Sequence, residues 1–423
     1  MKKVFTPTKK NTILILDDDQ LAGLSHLEKL HAQGFKIELT CAFDTALQIF
    51  KNGAVDLAIL DLCLPGINVV ELIKNIRSDS GIPSTPIIAF SNPYLSTLTH
   101  AAREAGATKS VAKVDTTPER LLELVRELGV SATSRGGGRS AVGALEANQG
   151  RPCSNLLINR SEILAKLRAS YQNFSRTERE DLRRAALLQV HRQLRLLAGS
   201  ANVPALKIVQ VSTALEALLV ELYTEPAKIT PSVVRTIAHS IETLASLSGR
   251  PTHSRDEITA PSKILVVDDE VIALQLICSA VGKAGFQAVG LDDPLAAQRL
   301  LEREHFDLIF LDVQMPGLTG LELCAKVRAI KPNCSTPIVF VTSHSDFGSR
   351  AQSALSGGND FIAKPFLLVE VALKALTWLY RDSAQPLPTA SVQQSVADNG
   401  GGQEPPLSAP HDGLELPYTS PVP

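Results

Sequence analysis

The sequence predicts a multidomain chain: two doubly wound α/β domains, each built on a five-stranded parallel sheet, with an all-α four-helix bundle between them. Three observations predict this. Short apolar runs that end in a polar group alternate with helix-like segments near both ends of the chain. Those polar ends recur at fixed steps: Asp18, Asp61, Ser91 and Lys113 are 43, 30 and 22 residues apart, and so are Asp269, Asp312, Thr342 and Lys364. Each member of the second set lies 251 residues after its counterpart, so one architecture is written twice. Between the copies, residues 156–247 carry helical periodicity and no strand pattern.

In the first unit, residues 11–130, Ile13-Leu-Ile-Leu16 is a continuous apolar run closed by Asp17-Asp18-Asp19. Such runs suit strands covered on both faces. A helix follows over 21–31 and stops at Gly34. Strands are expected over 35–40, 57–60, 86–90 and 110–112. Helices are expected over 44–50 with Asp44 as N-cap, 67–77, 96–105 and 118–128, the last with Pro118 at its start. Residues 131–154, with Ser-Arg-Gly-Gly-Gly-Arg-Ser, read as a flexible linker. Residues 155–248 read as four helices over 163–174, 182–197, 203–222 and 233–247. A second linker, 249–261, precedes the second α/β unit at 262–382. Residues 383–423, rich in Ser, Pro, Gln and Gly, read as a disordered tail in which no output domain can be placed.

A chain of 423 residues exceeds one ordinary core. Its net charge of -2 gives no electrostatic case for nucleic acid or an anionic membrane. Hydrophobic residues make up 44% and aromatics only 4%, so the cores are aliphatic. The cysteines (41, 63, 153, 278, 324 and 334) form no CxxC pair and no zinc spacing, which points to a reducing compartment. With neither a signal-like N-terminus nor a membrane-length apolar run, a cytoplasmic protein is expected.

The ligand site of a doubly wound sheet lies at the carboxyl ends of its strands. Asp17 and Asp18, Asp61, Ser91 and Lys113 therefore converge on one edge. Asp268 and Asp269, Asp312, Thr342 and Lys364 do the same in the second unit. Carboxylates brought together repel one another and call for a cation, and Mg²⁺ suits a few carboxylates plus phosphate oxygens. The lysine and hydroxyl add a charge and a hydrogen bond for a phosphoryl group. Such a set can move a phosphoryl group onto a carboxylate.

Both units resemble receiver domains of two-component response regulators, which have a flavodoxin-like fold. The resemblance rests on the acidic pair after strand one, Asp after strand three, Ser or Thr after strand four, Lys after strand five, and the Asp-x-x-x-Pro-Gly turns of Asp61–Gly66 and Asp312–Gly317. It implies Asp61 and Asp312 as phosphoacceptors and Mg²⁺ held by Asp17, Asp18 and Asp61 and by Asp268, Asp269 and Asp312. It further implies Ser91, Lys113, Thr342 and Lys364 as phosphate-binding groups and Phe361 as a switch aromatic. The first unit departs from the pattern: Val114 follows Lys113 where Pro is usual, and Ser110 stands at the aromatic position. The second unit keeps Phe361 and Lys364-Pro365. Two other readings compete. A Walker B strand lacks any Gly-x-x-x-x-Gly-Lys-Ser/Thr partner. A Mg²⁺-dependent phosphatase of haloacid-dehalogenase type needs Asp-x-Asp, which Asp268-Asp269-Glu270 does not supply.

The helical unit is similar to histidine phosphotransfer (HPt) domains over about half its length. Leu197-Ala-Gly-Ser-Ala201, Asn202-Val-Pro-Ala205 and Leu215-Glu216 carry the likeness. The family's histidine position falls on Arg195, or on Leu194 with the gap placed differently. His191, one turn upstream and on the same helix face, is the candidate phosphohistidine; His239 lies on the last helix. Two readings stay open: a relay through His191, or a degenerate domain whose Arg195 meets a phosphorylated receiver. The resemblance implies a histidine kinase or HPt partner, contacts with another receiver, signalling by protein–protein interaction, and no metabolic enzyme activity.

Overall fold

The computed structural model describes residues 11–18, 23–52, 55–78, 85–130, 160–199, 206–249, 261–329, 331–343 and 357–381. The expected linker at 131–154, nearly all of that at 249–261, and the tail at 383–423 lie outside the described residues.

The first unit runs β1 (Thr12–Leu16), α1 (Gly23–Ala32), β2 (Lys36–Thr40), α2 (Phe43–Lys51), β3 (Leu57–Asp61), α3 (Val69–Ser78), β4 (Ile87–Ser91), α4 (Ser96–Glu104), β5 (Lys109–Ala112) and α5 (Pro118–Glu127). Every β1, β3 and β4 residue is buried, as apolar runs between two helix layers require. The sheet order is β2-β1-β3-β4-β5 and all pairs are parallel. One correction concerns α2. Asp44 lies inside its first turn, and the cap position is Ala42, whose side chain has no oxygen to offer. Pro118 opens α5, with the Thr117 side chain accepting from the Arg120 N–H.

The helical region follows with α6 (Arg160–Arg176), α7 (Glu180–Gly199), α8 (Leu206–Thr224) and α9 (Pro231–Ser248). Its third helix starts at Leu206; residues 203–205 of the expected span lie outside the described residues.

The second unit repeats the first: β6 (Lys263–Val267), α10 (Val271–Lys283), β7 (Gln287–Leu291), α11 (Pro294–Leu301), β8 (Leu308–Asp312), α12 (Gly320–Ala329), β9 (Ile338–Ser343), β10 (Asp360–Lys364) and α13 (Leu368–Tyr380). Its order, β7-β6-β8-β9-β10, is that of the first sheet. The Lys364–Pro365 peptide is cis. Met315 is buried in the core.

Both α/β units and the helical region belong to one unit of the chain, residues 1–382. The joints differ in kind. Helix α13 packs along α8 and α9, and its Val369, Ala372, Leu373 and Leu376 share one core cluster with Leu215, Leu218, Ile237 and Ile241. The first unit reaches the same cluster mainly through the loops after β3 and β4, with Cys63 and Leu95.

Candidate functional site

The second unit presents the simpler site. Parallel register sets the ends of β6, β8, β9 and β10 side by side, with Val267 opposite Leu311 and Lys364 opposite Ser343. Lys364 Nζ lies 2.9 Å from Asp268 Oδ2 and 3.5 Å from Asp312 Oδ2. Asp268 and Asp312 are buried and Asp269 is exposed. Burial, reinforced by the charge of Asp268, pushes the Asp312 carboxyl up to about 6 against the pull of Lys364. Burial works against the Lys364 charge, but Asp268 and Asp312 outweigh it and hold the ammonium above its ordinary value. Asp268, Asp269 and Asp312 each offer a carboxylate oxygen, all within 4.8 Å of one another, the one such group among the described residues. Three hard oxygen donors, of which Asp269 is exposed, fit Mg²⁺, which binds a few carboxylates and keeps several waters. Thr342 ends the buried part of β9 beside them. Phe361 packs on the core and lies under the guanidinium of Arg235, 5.8 Å from its ring centroid.

The first unit brings the corresponding residues together as well. Lys113 Nζ donates to Asp17 Oδ2 at 2.7 Å and to Asp61 Oδ2 at 2.9 Å, and the Cys63 N–H donates to Asp61 Oδ1 at 2.8 Å. Ser91 is buried, its hydroxyl donating to the Val111 carbonyl at 3.2 Å.

Here a cation is already present. Arg195, 6% exposed on α7, places Nη1 3.2 Å from Asp17 Oδ1 and against Asp18 Oδ1, and Nη2 against Asp61 Oδ2. Its Nε donates to Glu216 Oε1 on α8 at 2.7 Å. Asn92, next to Ser91, donates to the Thr213 carbonyl at 2.8 Å and to Glu216 Oε2 at 3.3 Å. The hydroxyl of Tyr223 sits 3.0 Å from where a side chain on Gly66 would begin. Burial raises the Asp17 carboxyl to about 6, against Lys113, and the charge of Asp61 adds to the rise. Burial would raise Asp61 too, but Arg195 and Lys113 together hold it well below the usual carboxylate range. The guanidinium spans the oxygens expected to hold a metal, so this arrangement does not fit Mg²⁺.

His191 lies one turn before Arg195 and is buried, with Nδ1 4.0 Å from Asp18 Oδ2 and Nε2 3.8 Å from Glu216 Oε1. Burial, then the charge of Arg195, lowers its imidazole to about 4. His239 is buried at the other joint, Nδ1 3.3 Å from Asp360 Oδ2.

Residues that sequence reasoning left without a role include Asn92, Glu216 and Tyr223 at the first joint. At the second they are Asp360, Lys374, Arg235, Ser232 and Glu370. Lys374 Nζ donates to Asp360 Oδ2 at 2.6 Å with both side chains fully buried. Arg235 Nε lies 3.3 Å from Asp360 Oδ1, and Ser232 donates to the Phe361 carbonyl at 3.1 Å and to Glu370. Trp378 also points Nε1 at Asp360 Oδ2, 3.4 Å away. The spacing of Glu370 and Lys374, four apart in an otherwise apolar helix, was the available signal.

A family model for the response regulator receiver domain matches residues 13–126 and 264–375, more than half of the chain. The chain belongs to this family. The two α/β units are its receivers. The transcriptional activator IrlR of Burkholderia pseudomallei is 32% identical over 123 residues, 29% of this chain and 52% of that protein. The transcriptional regulatory protein ResD of Bacillus subtilis is 36% identical over 128 residues, 30% of this chain and 51% of that protein. The chain thus spans about half the length of these curated relatives. Among solved structures, the receiver domain of a Pseudomonas aeruginosa sensor histidine kinase, with magnesium coordinated in its active-site cleft, is 28% identical. That match covers 29% of this chain and 100% of the other, with a TM-score of 0.28. Receivers of this family serve two-component phosphorelay signalling and interact with histidine kinases or phosphotransfer partners. Among the described residues no helix is long and apolar enough to cross a membrane.

Proposed function

We propose that this is a cytoplasmic phosphorelay protein whose second receiver accepts a phosphoryl group on Asp312 from a histidine kinase or HPt partner. Asp268, Asp269 and Asp312 would hold Mg²⁺, which supplies positive charge to the transferred phosphoryl oxygens. An Asp312 carboxylate oxygen forms the new P–O bond as the P–N bond to the donor imidazole breaks. The electron pair of that bond leaves with the imidazole, which is neutral when its other nitrogen carries the proton. Lys364 balances the charge of the acyl phosphate, and the Thr342 hydroxyl donates to a phosphoryl oxygen. The observation that supports this reading is the Lys364–Asp268–Asp312 cluster at the carboxyl edge of the sheet. The receivers catalyse only their own phosphorylation and slow hydrolysis, and signalling proceeds by protein–protein contact.

A second reading concerns the helical region: a phosphotransfer-like four-helix bundle that has given up the chemistry, leaving a phosphate sink or adaptor. It is favoured by Arg195, not His191, being the residue that hydrogen-bonds to Asp17 and Asp61 of the first receiver.

The test is to incubate the full chain with acetyl phosphate and Mg²⁺ and locate the acyl phosphate by mass. Label on Asp312, lost in Asp312→Asn, is expected. Turnover of a generic phosphomonoester with no acyl-phosphate intermediate would sink this reading.

A further inference from the structure

The two receivers share their acidic residues but not their cation. In the first, the guanidinium of Arg195 contacts Asp17, Asp18 and Asp61 together. Asp61 Oδ2 also accepts from Lys113, and its Oδ1 from the Cys63 N–H, so both oxygens of the phosphoacceptor are committed. Asp61 is 1% exposed. Glu216 grips Arg195 from behind and is itself held by Asn92 of the receiver, which fixes the guanidinium against rotation. An Arg fork that pairs several carboxylates at once is the strong form of ion pair. A metal ion or a phosphodonor needs the same oxygens.

We propose that Arg195 is a tethered counter-ion that competes with a divalent cation for Asp17, Asp18 and Asp61 and keeps the first receiver from accepting a phosphoryl group while the helical region is docked. This rests on the receiver reading above and adds its regulation. By linkage, whatever Arg195 costs the ion in affinity, the ion costs the docking. The first receiver therefore opens only when its ion, or a partner that draws α7 away, outcompetes a charge on its own chain.

The experiment is a Mn²⁺ titration of the full chain, counting bound ions by loss of the free-ion paramagnetic resonance signal. Wild type is expected to take one tight ion, lost in Asp312→Asn. Arg195→Ala is expected to take a second, its affinity for the first receiver rising by about 5- to 150-fold, the usual span of such coupling. Because Arg195→Ala leaves buried carboxylates uncompensated, Glu216→Gln provides a milder variant. It loosens the grip on Nε and should tighten the second ion by a smaller factor. In wild type, excess Mn²⁺ should speed amide exchange in α7. Two equally tight ions in wild type, or a tight ion that survives Asp312→Asn undiminished, would overturn the proposal. So would folded Arg195→Ala and Glu216→Gln variants that gain none. An absence of ions in every form, with no acetyl-phosphate label on Asp312, would instead take down the receiver reading beneath it.

Discussion

The receivers repeat one another at every chemical position except that their acid clusters face different partners. In the second, Asp268, Asp269 and Asp312 have a lysine, and only Asp269 is exposed. In the first, the same cluster has a lysine and an arginine from another helix of its own chain. A carboxylate cluster must be neutralised, but nothing in the cluster dictates by what. What the comparison teaches is that a duplicated site can keep its acids, its hydroxyl and its lysine and still be neutralised by a different neighbour.

The comparison breaks most visibly in the labelling of the two aspartates. Asp312→Asn should lower acyl phosphate formation by at least roughly 10⁴-fold, the scale of losing a nucleophile. Equal labelling of Asp61 in the wild type, read by peptide mass, would erase the difference between the sites.

The next largest effect tests the second joint. Asp360→Ala strands Lys374 and Arg235 without their carboxylate, and breaking one side of a buried pair costs about 3–5 kcal/mol. Denaturant unfolding should show it, and replacing both partners, Asp360→Asn with Lys374→Met, should recover most of the loss. A loss under about 1 kcal/mol would mean the network is hydrated in solution.

Acidity sharpens the contrast at the same joint. Burial lowers the His239 imidazole, against the pull of Asp360, with Lys374 and Arg235 also opposing its protonation. The unfolded chain then binds the extra proton more readily, so this contribution is full above the ordinary value of 6.5 and is lost as pH falls below it. Unfolding midpoints across that range should depend less on pH in His239→Gln; an unchanged slope would assign the loss to other groups.

The smallest contrast lies in a matched pair of glycines. Gly66 and Gly317 both have positive φ, so alanine at either costs about 1–2 kcal/mol. Only at Gly66 does the added carbon also press on Tyr223, while Gly317 has nothing within 4 Å among the described residues. Gly66→Ala should therefore loosen the first joint, seen as faster exchange in α8, and Gly317→Ala should not.

The sheets and their polar edges were legible because both follow from local rules. Buried parallel strands must be apolar, and the residue after each strand must face the ligand edge. The spacing set these polar residues at one sheet edge, where Lys113 reaches Asp17 and Asp61, while Ser91 bonds to the Val111 carbonyl and Asp18 to Arg195. The α2 cap was misread because Asp44 is a good capping residue two positions too late. Arg195 could be placed at a position of interest, but its partners lie 134 to 178 residues away. No periodicity encodes which surface a helix docks on. The buried Asp360–Lys374 pair was hidden for a related reason: charges four apart on a helix ordinarily signal a wet face, and here α8 and α9 cover it.

The unlike joints give the molecule a sensitivity to its surroundings that neither receiver has alone. Arg195 and four carboxylates form the centre of one seam, and Leu373, Leu376 and their apolar neighbours, beside the buried Asp360–Lys374 pair, the other. Dissolved salt stabilises parted, hydrated charges and so favours opening the first seam. Apolar contact weakens on cooling, so cold acts on the second. The same chain thus answers brine at one seam and chill at the other.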